Sequence, residues 1–335
     1  MPIVAVDRTD GIIKIVEHHS TQLIKPVLQS IRETDLTGST CILTKTNDEA
    51  VQITGLLVQN GYTARLIQTN DGFNLYNLKE LRYFADQIST QTGSPVISEY
   101  EWEEAKRKLA QTFQRSNKLE WCQIIIKDFE AINPIRRYKS DWKTFLNESR
   151  LGDFVCINGE TIYVSTIHKA KGKEFDSVFL MLDKFDAINE EGKRQMYVAI
   201  TRAKSNLTIH YNGNYLKNMI TNELTYSTDY NVFSVASFIS CLLTHKEVQL
   251  SYFEFVQHRM NEITSGDPLI VTQEGLSTHS GLVVKFSKNF VASIEKLHSK
   301  GYHLQSATAN FIVHWFNTKE NKEVKIILPE LNFTR

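Results

Sequence analysis

Cysteine and proline are scarce in this chain, and neither sign of charge prevails. Its 335 residues include four cysteines and six prolines, with 38 Lys and Arg against 38 Asp and Glu. The cysteines form no CxxC pair, so neither a disulfide framework nor a zinc site is expected. Balanced charge argues against a protein that coats nucleic acid through its net field, so any anionic partner must meet a local basic patch.

Long apolar runs and a leader pattern are also missing. The longest apolar-leaning stretch, residues 232–243, is interrupted by three serines and is too short to span a bilayer. The N-terminus turns polar by Asp7, unlike the charged-then-apolar start of a secretory signal. These features predict a cytoplasmic protein.

The sequence contains neither GxxxxGKS nor GxxxxGKT. It therefore lacks the P-loop that cradles phosphates and places a magnesium-ligating hydroxyl. It also lacks a strand pattern ending in paired acidic residues, which could hold a metal ion and polarise water. We expect that the chain alone does not hydrolyse a nucleoside triphosphate.

Strand and helix patterns alternate over the first two-thirds of the chain. Apolar runs predict strands at 40–44, 63–67 and 177–182. Amphipathic runs predict helices at 49–59, 75–88 and 190–203. Alternation with short turns predicts an α/β fold, in which helices cover both faces of a parallel sheet.

Two parts of the chain depart from this alternation. About residues 90–152, helical runs follow one another without a strand, which predicts a short helical insertion. After the alternation ends, short apolar runs separated by Gly, Ser and Asn predict a small β-barrel with one helix near 290–300. The predicted division is an α/β domain over 1–225 that carries the insertion, a helical connector over 226–262, and a small β-rich domain over 263–335.

The block TIHKAKGKEFDSVF is the first that could do chemistry. A predicted strand ends at His168, and a loop with lysines around Gly172 follows. In open parallel sheets ligands lie beyond the carboxyl ends of strands, and a lysine-bearing loop with a glycine can approach phosphate oxygens closely. A solvated lysine-rich turn is the alternative, and a third possibility is an unrelated α/β enzyme with His168 as general base, for which no partner carboxylate is evident.

The block QMYVAITRAKSNLTIHY is the second. It places Arg202 at the C-terminal end of a predicted helix that leads into a strand. An arginine there could stabilise the charge on a transferring γ-phosphoryl group. The alternative is an interaction with the dipole of its own helix, and Thr-Arg-Ala alone favours that alternative because it often occurs by chance.

In this order and register, the two blocks resemble motifs V and VI of the UvrD/Rep/PcrA family of superfamily 1 DNA helicases. The upstream stretch CILTKTNDEAVQITGLLVQNGYTARL resembles the motif IV region of that family. The resemblance spans about residues 40–211 and implies a second RecA-like motor domain, hence the C-terminal motor half of an ATP-dependent DNA helicase or translocase. It implies ATP with Mg²⁺ as cofactor, bound mainly by an N-terminal P-loop domain that this sequence lacks, and single-stranded DNA as partner.

The resemblance also implies which residues face the nucleotide. Arg202 would be the catalytic arginine finger that reaches the γ-phosphate. Glu174 would hydrogen-bond the ribose hydroxyls, and Gly172 would line the nucleotide cleft through its backbone. Lys45 stands where the family usually has an arginine, and its lack of a planar bidentate fork weakens a phosphate role.

Other matching residues would serve the DNA strand or the finger. Thr166, His168 and Lys171 would face the single strand or couple it to the nucleotide site. Arg194 and Tyr197 would position Arg202 from the motif VI helix, although Tyr197 could equally belong to the core.

The remaining parts of the chain depart from the best-known members of the family or resemble them weakly. The insertion is much shorter than their accessory subdomain, which argues against duplex engagement through it. The C-terminal segment is similar to a small SH3-like or Tudor-like barrel, whose aromatic residues could bind a protein or nucleic-acid partner or fill its core; these are Phe290, Tyr302, Trp315 and Phe316. A non-catalytic binding module with a helicase-like fold is the alternative function.

Overall fold

The computed structural model describes most of the chain as two compact units. The described residues are 11–20, 22–67, 72–89, 94–154, 161–185, 189–213, 215–217, 224–234, 236–318 and 320–335. Unit 1 consists of residues 1–68 and 156–239, and unit 2 of residues 69–155 and 240–335.

The strands and helices are numbered in chain order. The strands are β1 (Ile12–His18), β2 (Thr40–Thr44), β3 (Ala64–Leu66), β4 (Val96–Ile97), β5 (Arg137–Tyr138), β6 (Ile162–Thr166), β7 (Phe175–Leu182), β8 (Ala203–Tyr211), β9 (Leu224–Asp229), β10 (Phe238–Leu242), β11 (Pro268–Thr272), β12 (Gly275–Thr278), β13 (Gly281–Lys285), β14 (His303–Asn317) and β15 (Lys322–Thr334). The helices are α1 (Ile24–Glu33), α2 (Asn47–Gln59), α3 (Lys79–Ser89), α4 (Glu99–Thr112), α5 (Leu119–Ile132), α6 (Lys139–Glu148), α7 (Glu190–Ile200) and α8 (Lys288–Ser299).

Unit 1 is built on a seven-stranded sheet in the order β3-β6-β2-β7-β8-β1-β9. Every pair in it is parallel. The predicted α/β fold with a parallel sheet flanked by helices is therefore confirmed. The strands β2 and β6 are buried along their whole length, as expected for central strands that helices cover on both faces.

The helix α2 shows how local sequence and packing agree. Thr46 caps its start, and Glu49 completes a capping box by accepting from the backbone N–H of Thr46. Its buried residues Ile53 and Leu57 pack in a core cluster that also contains Ile42 of the neighbouring strand. This helix therefore holds the sheet from one side while its capped end lies where β2 ends.

Unit 2 combines helices with an antiparallel sheet in the order β10-β15-β14-β11-β12-β13. The helices pack around a core of large aromatic rings in edge-to-face contact, formed by Phe84, Trp102, Phe129 and Trp142. Within the described part of the chain, none of the helices is long and apolar enough to cross a membrane.

The helical insertion and the β-rich segment fold into the same unit, whereas the predicted domain boundaries separated them. A buried lysine joins the two parts. Lys118 is 6% exposed, donates to Asn310 Oδ1 at 2.8 Å, and lies 4.3 Å from the centre of the Phe311 ring. Burial lowers the pKa of Lys118 to about 8. A pairing across 192 residues leaves no periodic signal in the sequence.

The prediction of a helical connector over 226–262 is wrong, because the described residues of this segment form strands and 3₁₀ turns. The segment contains most of β9, all of β10 and two 3₁₀ turns at Leu250–Phe255 and Arg259–Asn261. Because β10 pairs with β15 while Val248 bridges Phe286 beside β13, this segment spans from one edge strand of the sheet to the other. Pairing with existing strands overrides the helical spacing of its apolar residues.

The aromatic residues of the β-rich part divide between core and surface. Tyr302 is 3% exposed and belongs to the core, whereas Phe316 is 51% exposed. Phe290 and Trp315 are half-buried. The helix predicted near 290–300 is present as α8.

Three side chains form a buried hydrogen-bonded row at the carboxyl ends of β1, β8 and β9. Asp229 Oδ2 lies 3.0 Å from His18 Nδ1, and His18 Nε2 lies 2.9 Å from His210 Nδ1. With Nδ1 of His18 donating to the carboxylate, its Nε2 can accept from Nδ1 of His210, and burial lowers the pKa of His18, which favours neutral rings. Burial, reinforced by the neighbouring His18, lowers the pKa of His210 to about 3.

This row makes the stability of the protein depend on pH. Below about pH 6.5 His210 becomes protonated in the unfolded chain but stays neutral in the folded protein. The free energy of unfolding therefore decreases as the pH is lowered. Between about pH 7 and pH 5 the wild type should lose roughly 2 kcal/mol of its free energy of unfolding through His210. We expect His210→Phe to remove this loss, and urea unfolding at both pH values measures it. The exposed His279→Phe is the matched control. Equal pH dependence of the wild type and His210→Phe would contradict the neutral, buried assignment.

Candidate functional site

The direction of the strands in unit 1 sorts the candidate residues onto two edges of the sheet. Ala203 pairs with Phe175, so Arg202 and Glu174 lie level with each other at the amino edge, just before β8 and β7 begin. Thr44 pairs with Thr166, so Lys45 and His168 both follow strands that end at the carboxyl edge. The register of β2 on β7 puts Lys45 about eight residues beyond Glu174, or roughly 25 Å along the strands.

Arg202 joins the two motif segments at the amino edge. Its Nε donates to the carbonyl of Val198 at 2.9 Å, its Nη2 to Thr201 Oγ1 at 3.0 Å, and its Nη1 to the carbonyl of Lys173 at 3.0 Å. Its own carbonyl accepts from the backbone N–H of Phe175 at 2.9 Å. The half-buried guanidinium is therefore held between the end of α7 and the loop before β7.

Gly172 and Glu174 flank Lys173 on the same loop, and both are exposed. Gly172 has φ of 83°, a left-handed conformation that favours glycine. A Cβ atom built on it would meet no heavy atom within 4 Å, so the backbone here is open to approach. Nearby, hydrogen bonds from Ser39 to Asp176 tie the starts of β2 and β7 together and lower the pKa of the Asp176 carboxyl.

At the carboxyl edge, Lys45 lies at a cavity of about 190 Å³ beside the start of α7. The other lining residues are Phe185, Asn189, Glu191, Gly192 and Gln195. Lys45 is exposed, and its ammonium lies 5.9 Å from the centre of the Phe185 ring. Burial raises the pKa of the Glu49 carboxyl, which accepts from the backbone N–H of Lys45.

The three residues predicted to face DNA differ in exposure. His168 and Lys171 are exposed, whereas Thr166 is 6% exposed at the end of β6. The carbonyl of Thr166 accepts from the backbone N–H groups of Lys169 and Ala170, so Thr166 holds the turn that carries His168. A surface contact is open to His168 and Lys171 and closed to the side chain of Thr166.

The structure changes two expectations about where the candidate residues lie, while the roles of these residues stay predictions. The sequence placed the loop of the first block beyond the carboxyl end of a strand, whereas Gly172 and Glu174 of that loop lie toward the opposite edge, level with Arg202. Lys45, expected to face the nucleotide, is separated from these three residues and lies on the side of His168. The cause is the loop after β6, which crosses from one edge of the sheet to the other before β7 begins.

The helix α7 connects the two edges, and one of its contacts was not predicted. Gln195 Nε2 lies 3.2 Å from His168 Nε2 and 3.3 Å from Glu191 Oε1. A glutamine on a helix surface gives no signal in a single sequence that would select it. The alternative core role for Tyr197 is wrong, since this residue is 60% exposed.

Comparison with known proteins finds similarity over part of the chain. Residues 79–214 match the family described as the UvrD-like helicase C-terminal domain. Among solved structures, the C-terminal domain of a possible DNA helicase from Lactobacillus plantarum WCFS1 is similar at 14% identity and a TM-score of 0.32, with 65% of this chain and 85% of that chain covered. No curated protein matches the chain.

The matched range contains both motif segments of the α/β sheet. Over residues 79–214 the chain is similar to the UvrD-like helicase C-terminal domain. The resemblance predicted from the motifs is confirmed there.

The hydrogen bonds of Arg202 predict a stability effect. Arg202→Ala removes the bond to the loop at Lys173 and the two bonds to Val198 and Thr201, and we expect it to lower the free energy of unfolding by about 1–3 kcal/mol. Arg194→Ala, on the exposed face of the same helix, should change it by less than about 0.5 kcal/mol. Urea unfolding measures both, and equal effects would show that the Arg202 contacts do not stabilise the unit.

Proposed function

We propose that this chain is the C-terminal motor half of an ATP-dependent DNA helicase or translocase. The observation that carries the proposal is the position of Arg202, which links the two motif segments at an edge where Glu174 is also exposed. A single guanidinium beside an open loop is the arrangement that can stabilise charge on a phosphoryl group supplied from outside the domain.

The amino edge has groups that fit a nucleotide. A guanidinium carries more N–H donors than Arg202 uses within the unit, so some can reach phosphate oxygens. The exposed Glu174 carboxylate can accept from ribose hydroxyls, and the open backbone at Gly172 allows close approach. ATP with Mg²⁺ would supply the scissile phosphoryl bond and would be held mainly by an N-terminal P-loop domain.

The carboxyl edge is the proposed face for single-stranded DNA. Lys45 and His168 are exposed at this edge, and Lys171 is exposed further along the loop, beside Gly172. Glu191 shares the cavity with Lys45 and would repel a phosphate inside it. The strand would therefore place its backbone along the lysines and its sugars or bases toward the cavity wall. This assignment moves Lys45 from the nucleotide to the DNA.

Further parts of the proposal concern the rest of the molecule. The β-rich part of unit 2 would bind a protein or nucleic-acid partner, for which the exposed Phe316 offers a contact. The cytoplasm remains the proposed compartment.

A non-catalytic binding module is the second candidate function. The contacts of Arg202 favour it, since three of the five guanidinium N–H groups already bond within the unit. The two candidates differ in whether Arg202 affects ATP turnover.

ATP turnover by the protein that contains the P-loop domain tests the role of Arg202. We expect Arg202→Ala to reduce turnover by about 10³-fold or more, because the charge developing on the phosphoryl group loses its stabiliser. Lys193→Ala is the control, since Lys193 lies on the same helix and pairs only locally with Glu190 at 2.8 Å. Turnover within a few-fold of the wild type in Arg202→Ala would favour the non-catalytic module.

The salt dependence of DNA binding tests the carboxyl edge. Each phosphate contact contributes a slope of about −0.7 to log K against log salt for a single strand. We expect Lys45→Ala to weaken binding of an oligothymidylate of about 16 nucleotides and to reduce the slope by about 0.7. Fluorescence anisotropy measures both, with the exposed Lys127→Ala of unit 2 as the control. Unchanged affinity and slope in Lys45→Ala would remove Lys45 from the DNA face.

A further inference from the structure

The two motif segments are joined to each other at both ends of their course between the edges of the sheet. Near the carboxyl edge, Gln195 of α7 contacts His168 of the loop at 3.2 Å. At the amino edge, Arg202 at the end of α7 donates to the carbonyl of Lys173 in the same loop at 3.0 Å. The helix and the loop therefore form a closed frame with two joints. One joint contains His168, which is predicted to contact DNA, and the other contains Arg202, the predicted arginine finger.

The two sides of this frame differ in stiffness. Gln195 and Arg202 are seven residues apart, about 10.5 Å along a helical rise, and backbone hydrogen bonds continue through Thr201 and Arg202. The loop, in contrast, contains Gly172 in a left-handed conformation with open surroundings. A displacement of His168 is therefore transmitted to Arg202 more completely through the helix than through the loop.

Arg202 is placed so that relative movement of helix and loop acts on it directly. Two of its side-chain bonds go to α7 and the following residue, at Val198 and Thr201, and one goes to the loop at Lys173. When the helix shifts against the loop, the bond to Lys173 must lengthen while the other two move with the helix. That bond is the one whose loss would free Nη1.

We propose that Gln195 is a positioning residue that transmits a displacement of His168 to Arg202. The inference rests on the proposed function, in which DNA meets His168 and the nucleotide meets Arg202. Through Gln195, a DNA strand that moves His168 would shift α7 and loosen the hold of Lys173 on the finger.

The side-chain Nε–Hε signal of Arg202 in NMR spectra of the 335-residue chain tests the link without DNA. We expect His168→Ala to shift this signal in the wild-type background and to leave it in place in Gln195→Leu. Gln29→Leu is the matched control, because Gln29 makes only a local contact with Glu33 on an exposed helix face at 2.8 Å. An equal shift in both backgrounds, or no shift in either, would overturn the role of Gln195.

A second arm adds the oligothymidylate and separates this inference from the proposed function. In the wild type and in Gln29→Leu, DNA should shift both the His168 ring signals and the Arg202 signal. In Gln195→Leu it should shift His168 alone, a result that a merely structural glutamine would not produce. An Arg202 response that survives in Gln195→Leu would overturn the inference. If DNA leaves His168 unperturbed, the proposed DNA face fails, while the variant comparison without DNA still decides the link.

Discussion

The hydrogen bonds of Arg202 are the contact on which the rest of the candidate site depends. One guanidinium bonds to the end of α7 and to the carbonyl of Lys173, while the Arg202 carbonyl receives the N–H of Phe175. These bonds fix the helix, the loop and the starts of two parallel strands against one another. They also restrain the guanidinium that the proposed chemistry requires to move. The bonds that stabilise the unit therefore oppose the proposed function of this residue.

The direction of the strands in the parallel sheet determines which candidate residues lie on the same edge as Arg202. Because all strands of unit 1 run in one direction, residues before a strand and residues after a strand lie on opposite edges. Gly172, Glu174 and Arg202 share one edge, whereas Lys45 and His168 share the other. Under the proposed function, a domain arranged in this way would bind a nucleotide and a DNA strand at the same time without direct competition between them, and α7 runs between the two edges.

The sequence predicts what is local and leaves out what depends on distant pairing. The buried runs of β2 and β7 and the amphipathic α2 follow from apolar periodicity, and the motif residues are recognisable by spacing. A parallel sheet requires the loop after β6 to cross between its edges, but no short pattern marks where along the loop the crossing occurs, so the separation of Lys45 from Arg202 was missed. The connector was wrong for a related reason, because β10 exists only through its pairing with β15. The contact between Lys118 and Asn310 is likewise visible only after folding.

The central claim is that DNA lies on the carboxyl edge and leaves the amino edge to the nucleotide. Photocrosslinking tests it directly, with p-benzoylphenylalanine in place of Lys45 in one variant and of Glu174 in another, both of them exposed positions. With the oligothymidylate bound, we expect a crosslink from position 45 and none from position 174. A crosslink from position 174 without one from position 45 would contradict the account.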